Sequence, residues 1–197
     1  MNSNKTTQPT LYMMMLGCRP SGRITEQHDI YFDIAHDLTE LVPAIKASWP
    51  EAKGNIHLDA WRKVTLVDGF SVRVIDKTSK TENISGYKLF FINLGGYRPN
   101  EFDEFHYKIL VIAPNKTKAI SNVKDTVFYK TAGFKGAASH IDEKYGLDVD
   151  DIYEIEDLLP EAIKSQYQLK IEPTTDATFD EIHLGYMQLH RLNQPSE

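Results

Sequence analysis

Two runs of the chain carry the same rhythm of apolar residues closed by glycine. Leu11-Tyr-Met-Met-Met-Leu-Gly17 and Leu89-Phe-Phe-Ile-Asn-Leu-Gly95 are short, almost wholly apolar, and end at small residues, which predicts buried strands at Leu11–Cys18 and Lys88–Gly96. Each is followed by a second strand, at about 28–35 and 106–113. In the first of these, His28, Ile30, Phe32 and Ile34 fall on one face and Asp29, Tyr31 and Asp33 on the other, because side chains alternate along a strand. Its counterpart is apolar on both faces through Ile109, Leu110, Val111 and Ile112, so it reads as the more central strand. Helices come next. Leu41, Val42, Ile45 and Trp49 form a stripe at helical spacing behind the caps Asp37 or Thr39, and Ala119, Ile120, Val123 and Val127 do so behind Asn115 or Thr117. Third strands are expected at 70–75 and 152–156.

The rhythm is a repeat. A shift of 78 residues superposes the two apolar runs without a gap and brings Glu26 onto Glu104 and His28 onto His106. With a shift of 83, His57-Leu-Asp59 meets His140-Ile-Asp142. The expected fold class is therefore α+β: an internally duplicated strand-strand-helix-strand unit with pseudo-twofold symmetry and a mostly antiparallel sheet, helices lying to one side. The expected organisation is a disordered start (1–10), a first unit (11–75), a linker (76–86), a second unit (87–160), and a C-terminal hairpin and tail (161–197). The hairpin rests on the alternation of Tyr167, Leu169 and Ile171, and of Ile182, Leu184 and Tyr186.

Charge narrows the choice of partners. The 197 residues carry a formal net charge of −6, the wrong sign for a nucleic-acid or anionic-membrane partner, which calls for a basic stripe. Apolar runs fall short of the roughly 18 residues that cross a bilayer. Cys18 is the only cysteine, so a disulfide framework is excluded and a reducing, cytoplasmic setting is expected. Met15-Leu16-Gly17-Cys18 imitates a lipoprotein cleavage box, but its apolar stretch is short and the pattern returns mid-chain, so it reads as a strand. Cys18 reads as strand-end packing, since Gly96 replaces it in the second copy. The acidic run containing Asp142, Glu143, Asp148, Asp150, Asp151, Glu154, Glu156 and Asp157 lacks calcium-loop spacing and reads as a solvated edge.

The segment Leu-Gly-Cys-Arg-Pro-Ser-Gly-Arg-Ile-Thr-Glu-Gln-His-Asp at 16–29, followed by His57-Leu-Asp59-Ala-Trp61, resembles an uncharacterised bacterial family, the domain of unknown function 1543. The resemblance covers most of 11–160 and is stronger in the first copy. In the second, Asn100-Glu101 replaces Gly-Arg and Phe105-His106-Tyr107 replaces Gln-His-Asp. It implies one or two copies of the unit per chain and brings no activity with it.

The chemistry-bearing residues recur at repeated positions. Each copy offers Glu-x-His at a strand start and His-x-Asp beyond the helix: Glu26, His28, His57 and Asp59 in the first, Glu104, His106, His140 and Asp142 in the second. Glu26 and His28 share a strand face. Imidazole with carboxylate suits a divalent metal of the Zn, Mn or Fe kind, with His28, His57 and Asp59 as the metal ligands. It equally suits general acid–base work, or a structural pair in which a carboxylate such as Asp59 holds a half-buried His28. Arg19 and Arg23, on a glycine-bearing loop, suit a carboxylate or phosphate, or else pair with Glu26 or Asp29. The leading expectation is a non-catalytic binding module whose cleft between the copies takes a small acidic molecule or a protein partner. The alternatives are a metal-dependent hydrolase or lyase, and a purely structural pseudo-dimer. No organic cofactor motif is present.

Overall fold

The computed structural model describes residues 8–78, 85–97, 100–123, 149–176 and 178–193. Ten strands are described: β1 (Thr10–Cys18), β2 (Gln27–Ala35), β3 (His57–Val64), β4 (Leu66–Val67), β5 (Phe70–Asp76), β6 (Lys88–Tyr97), β7 (Glu104–Ala113), β8 (Val149–Glu154), β9 (Tyr167–Pro173) and β10 (His183–Gln188). They form three sheets, ordered β10-β3-β1-β2, β7-β6-β8 and β4-β5-β9, and the pairings recorded between them are antiparallel. Mostly antiparallel sheets with added helices make this an α+β fold, as the sequence pattern predicts.

The predicted first and second strands form in both halves, with the same register. Leu11 pairs with Ile34 and Gly17 with His28, while 78 residues on Leu89 pairs with Ile112 and Gly95 with His106. Alternation then sorts their side chains. Tyr12, Met14 and Leu16 face helix α1 (Val42–Ser48), packing with Leu41, Val42 and Ile45. Phe90, Ile92 and Leu94 likewise face α2 (Lys116–Val123), packing with Ala119 and Val123. Asp37 starts the first helical segment by accepting the Thr39 amide at 2.9 Å, and Asn115 caps α2 by accepting that of Lys118, also at 2.9 Å.

The opposite faces of the two sheets meet each other. Leu11, Phe32 and Ile34 from one share a core with Leu89, Phe91, Leu110 and Ile112 from the other, and Val72, Val74, Leu169 and Ile171 of the third sheet join them. Phe32 and Phe91 touch edge to face, with ring centroids 5.5 Å apart, a geometry favoured by the ring quadrupole. Asp68, at the turn between β4 and β5, accepts the Ile112 amide at 3.2 Å and ties the β4–β5 turn to β7.

Four expectations need correction. The second strand of the second half is not the more central one: β7 is at the edge in the order β7-β6-β8, and it is apolar on both faces because α2 covers one and the other sheets cover the other. The third strand of the first half is 57–64, not 70–75: β3 pairs with β1, whereas β5 pairs with β9 in a separate sheet. In the second half the third strand is β8, Val149–Glu154, slightly earlier than the expected 152–156. The C-terminal segments make no hairpin, because β9 joins β5 while β10 joins β3. Alternation marked both as strands, but an edge strand takes whichever neighbour offers unpaired backbone. The expected linker contains residues 79–84, and the expected disordered start contains 1–7; both stretches lie outside the described residues, and β1 already begins at Thr10.

Candidate functional site

The polar cluster is assembled by strand β1 and its two neighbours. Gly17, near the end of β1, pairs with His28 on one side and His57 on the other. Leu16 pairs with Leu58 and Met15 with Ala60, so Asp59 is an extra residue in the ladder. Such a bulge re-aims a side chain. Here it puts Asp59 beside both histidines: Asp59 Oδ2 lies 3.2 Å from His28 Nε2 and 3.3 Å from His57 Nε2. Glu26, just before β2, completes the group, with its carboxylate oxygens 3.0 Å from His57 Nε2 and 3.8 Å from His28 Nε2.

These contacts are close without being hydrogen bonds. His57 Nε2 and Asp59 Oδ2 are both buried, and neither makes a hydrogen bond among the described residues. An orphaned buried polar atom is costly, about 1–3 kcal/mol, and is rare without a reason. Behind the cluster lies Gly17, where an added Cβ would collide with His57 Nε2 and Asp59 Oδ2. Tyr186 of β10 lies against the His57 ring, with centroids 4.4 Å apart.

The second half repeats much of this. Gly95 pairs with His106, and Glu104 and His106 approach to 3.8 Å. The third member is Asp150, with Oδ2 3.2 Å from His106 Nε2. It too sits in a bulge, since Leu94 pairs with Val149 and Asn93 with Asp151. A Cβ on Gly95 would lie 2.6 Å from Asp150 Oδ2. Leu58 therefore corresponds to Val149 and Asp59 to Asp150, at an offset of 91 rather than 83. The expected counterparts His140 and Asp142 lie outside the described residues, as does residue 148, which the offset places opposite His57. Sequence reasoning assigned Asp150 to a solvated acidic edge. The signal that could have found it is the apolar-Asp pair Val149-Asp150 matching Leu58-Asp59.

One cleft of about 890 Å³ is lined by Glu26 and His28 of the first cluster and Glu104 and His106 of the second, while His57, Asp59 and Asp150 lie behind that lining. Asp29, Asp103 and Asp151 add negative charge, and Lys108 is the one cation among the described lining residues. Burial pulls the Lys108 ammonium below its usual range. Arg19 and Arg23 are exposed, do not line the cleft, and form no ion pair among the described residues. Their loop is a turn, closed by the Arg23 amide donating to the Pro20 carbonyl at 3.1 Å with Gly22 at φ +84°. Cys18 is buried under α1, and burial pushes its thiol up, in keeping with a packing role. Trp61 stacks on His183, with ring centroids 3.8 Å apart.

Comparison with known proteins agrees with the family resemblance and adds no activity. Residues 23–74 match the family model described as Domain of Unknown Function (DUF1543), a stretch that holds the whole Glu26, His28, His57 and Asp59 cluster. No curated protein matches the chain. Among solved structures, the chain is similar to protein Il1583 from Idiomarina loihiensis, at 18% identity and a TM-score of 0.57, covering 92% of this chain and 99% of that one. At that identity the likeness shows the fold. The function is unknown, and nothing in these comparisons points to catalysis. Among the described residues, no helix is long and apolar enough to cross a membrane.

Proposed function

We propose that this protein is a binding module for a divalent transition-metal ion, held by Glu26, His28, His57 and Asp59 at the wall of its cleft. The observation that carries the reading is the convergence of unbonded donor atoms. A tetrahedral ion with ligands at about 2.0–2.1 Å sets neighbouring donors roughly 3.3–3.4 Å apart. The spacings here are 3.0, 3.2, 3.3 and 3.8 Å, with His57 Nε2 and Asp59 Oδ2 making no hydrogen bond among the described residues. A structural His–carboxylate pair would aim an N–H at an oxygen. Two neutral imidazoles and two carboxylates also balance a 2+ charge, and imidazole with carboxylate suits Zn or another borderline ion. The acidity of the cleft favours a cation over the small acidic molecule that Arg19 and Arg23 suggested. Support for a duplicated origin comes from the same residues: equal strand registers, a glycine under each cluster, and Glu, His and a bulged Asp in each half. On this reading the chain is two diverged copies of one metal-binding unit about a pseudo-twofold axis.

Elemental analysis of natively purified protein, followed by Zn²⁺ titration of chelated protein, tests the proposal. Wild type is expected to take up Zn²⁺ and gain stability, by about 2.7 kcal/mol at a hundredfold excess over Kd. His57→Ala and Asp59→Asn should each remove one ion per chain. Zn²⁺ uptake unchanged in both variants, or no uptake in wild type, overturns it.

A further inference from the structure

We propose that Glu104, His106 and Asp150 form a second cation site on the facing wall of the cleft, weaker than the first and selective for harder ions such as Mn²⁺. The inference deepens the metal-binding reading, but its ligands are wholly separate from those of the first site. Each of the three residues brings a donor atom within 4.8 Å of the others, and His106 Nε2 lies 3.2 Å from Asp150 Oδ2. Proximity among exposed acids is common, so the case rests on two further observations. Gly95 leaves a space beside Asp150 that a Cβ would fill, with the would-be contacts at 2.6 and 2.9 Å, as Gly17 does in the other half. Asn93, on the same face of β6 as Gly95, lines the cleft with a buried Oδ1 that accepts no hydrogen bond among the described residues. An acceptor oxygen left so offers a cation or its water a further point of attachment.

The two donor sets differ in kind. The first has two imidazoles, one of them on a His57 side chain only 10% exposed. The second has one imidazole and two carboxylates on side chains 25–40% exposed. Carboxylate-rich, wetter sites favour Mn²⁺ or Mg²⁺ over Zn²⁺, and they hold ions less tightly because water competes for the coordination positions. Glu26, His28, Glu104 and His106 line the same cavity, so both ions face the same solvent-filled space.

The experiment loads the full chain with one equivalent of Zn²⁺ and titrates Mn²⁺ alone, reading free Mn²⁺ by electron paramagnetic resonance and retained Zn²⁺ by elemental analysis. Wild type is expected to bind one Mn²⁺ per chain while keeping its Zn²⁺, at an affinity at least tenfold below that for Zn²⁺. His106→Ala and Asp150→Asn should lose the Mn²⁺ and retain the Zn²⁺, which also reports that both variants are folded; Asp150→Asn preserves side-chain shape. No Mn²⁺ binding in wild type, or Mn²⁺ binding undiminished in both variants, overturns the second site. Failure of the first reading is distinct: His57→Ala would then leave Zn²⁺ uptake intact, whatever Mn²⁺ does.

Discussion

At Gly17 the strand carries no side chain because two donor atoms occupy the place where one would go. The cluster packs so closely on the backbone that Cβ would overlap His57 Nε2 and Asp59 Oδ2, and both sit on paired or bulged strand residues with little room to retreat. Gly17→Ala should therefore act on the site more than on the fold. The expected result is loss of the first-site ion together with a destabilisation of about 1–3 kcal/mol, typical of overpacking, seen as reduced Zn²⁺ stoichiometry and a lower denaturant midpoint. Retained stoichiometry would mean that the carboxylate and imidazoles are not held where a metal needs them. The same scale explains Asp59 and Asp150. A bulge residue escapes strict alternation, so one extra residue in each ladder turns an acid toward the histidine of the neighbouring hairpin.

The first half is also held from afar by the segment leading into β10. Asp180 accepts the amides of Thr65 and Leu66 at 2.8 and 3.0 Å and the Thr65 hydroxyl, which pins the C-terminal chain to the turn after β3. From there β10 pairs with β3 through His183–Trp61 and Gln188–His57, and Tyr186 packs on the His57 ring. Removing three partners at a partly buried carboxylate costs about 2–3 kcal/mol, since the amides lose a charged acceptor. Asp180→Ala is accordingly expected to lower global stability by that amount and to raise hydrogen exchange in β10 before β1. Unchanged β10 protection would show that strand pairing alone holds the segment.

For the whole molecule, the decisive contact is between the two sheets' inner faces. Phe32 and Phe91 meet there, both at most 6% exposed, within a core that also takes in the third sheet. Phe91→Ala should cost about 3–5 kcal/mol in chemical denaturation. Because the cleft continues from this core and is lined by the same two phenylalanines, weakened ion binding at either wall should accompany the loss. A variant that loses stability while both ion affinities hold would separate the cleft from the core beneath it.

Much of this protein was legible from one-dimensional pattern. The apolar rhythm at 11–17 and 89–95, the alternation through His28, Ile30, Phe32 and Ile34, and the helical stripes at 41–49 and 119–123 each follow from local side-chain periodicity. The paired registers follow from them, because a one-residue slip would turn a buried face outward. Glu26, His28, Glu104 and His106 stand at matching strand positions because the 78-residue shift carries one strand pair onto the other. Local pattern did not reach the third strands. His57–Val64 has mixed character that breaks alternation at its bulge, and more residues separate Val123 from Val149 than Ser48 from His57, so the letters at 140–142 mask the match of Val149-Asp150 to Leu58-Asp59. Nor could pattern say which strand β9 or β10 would join, that the two sheets would meet face to face, or that Arg19 and Arg23 would stand outside the cleft. Those outcomes depend on which distant backbone edges and apolar faces remain to be covered once the local elements have formed, and that is settled by packing in three dimensions.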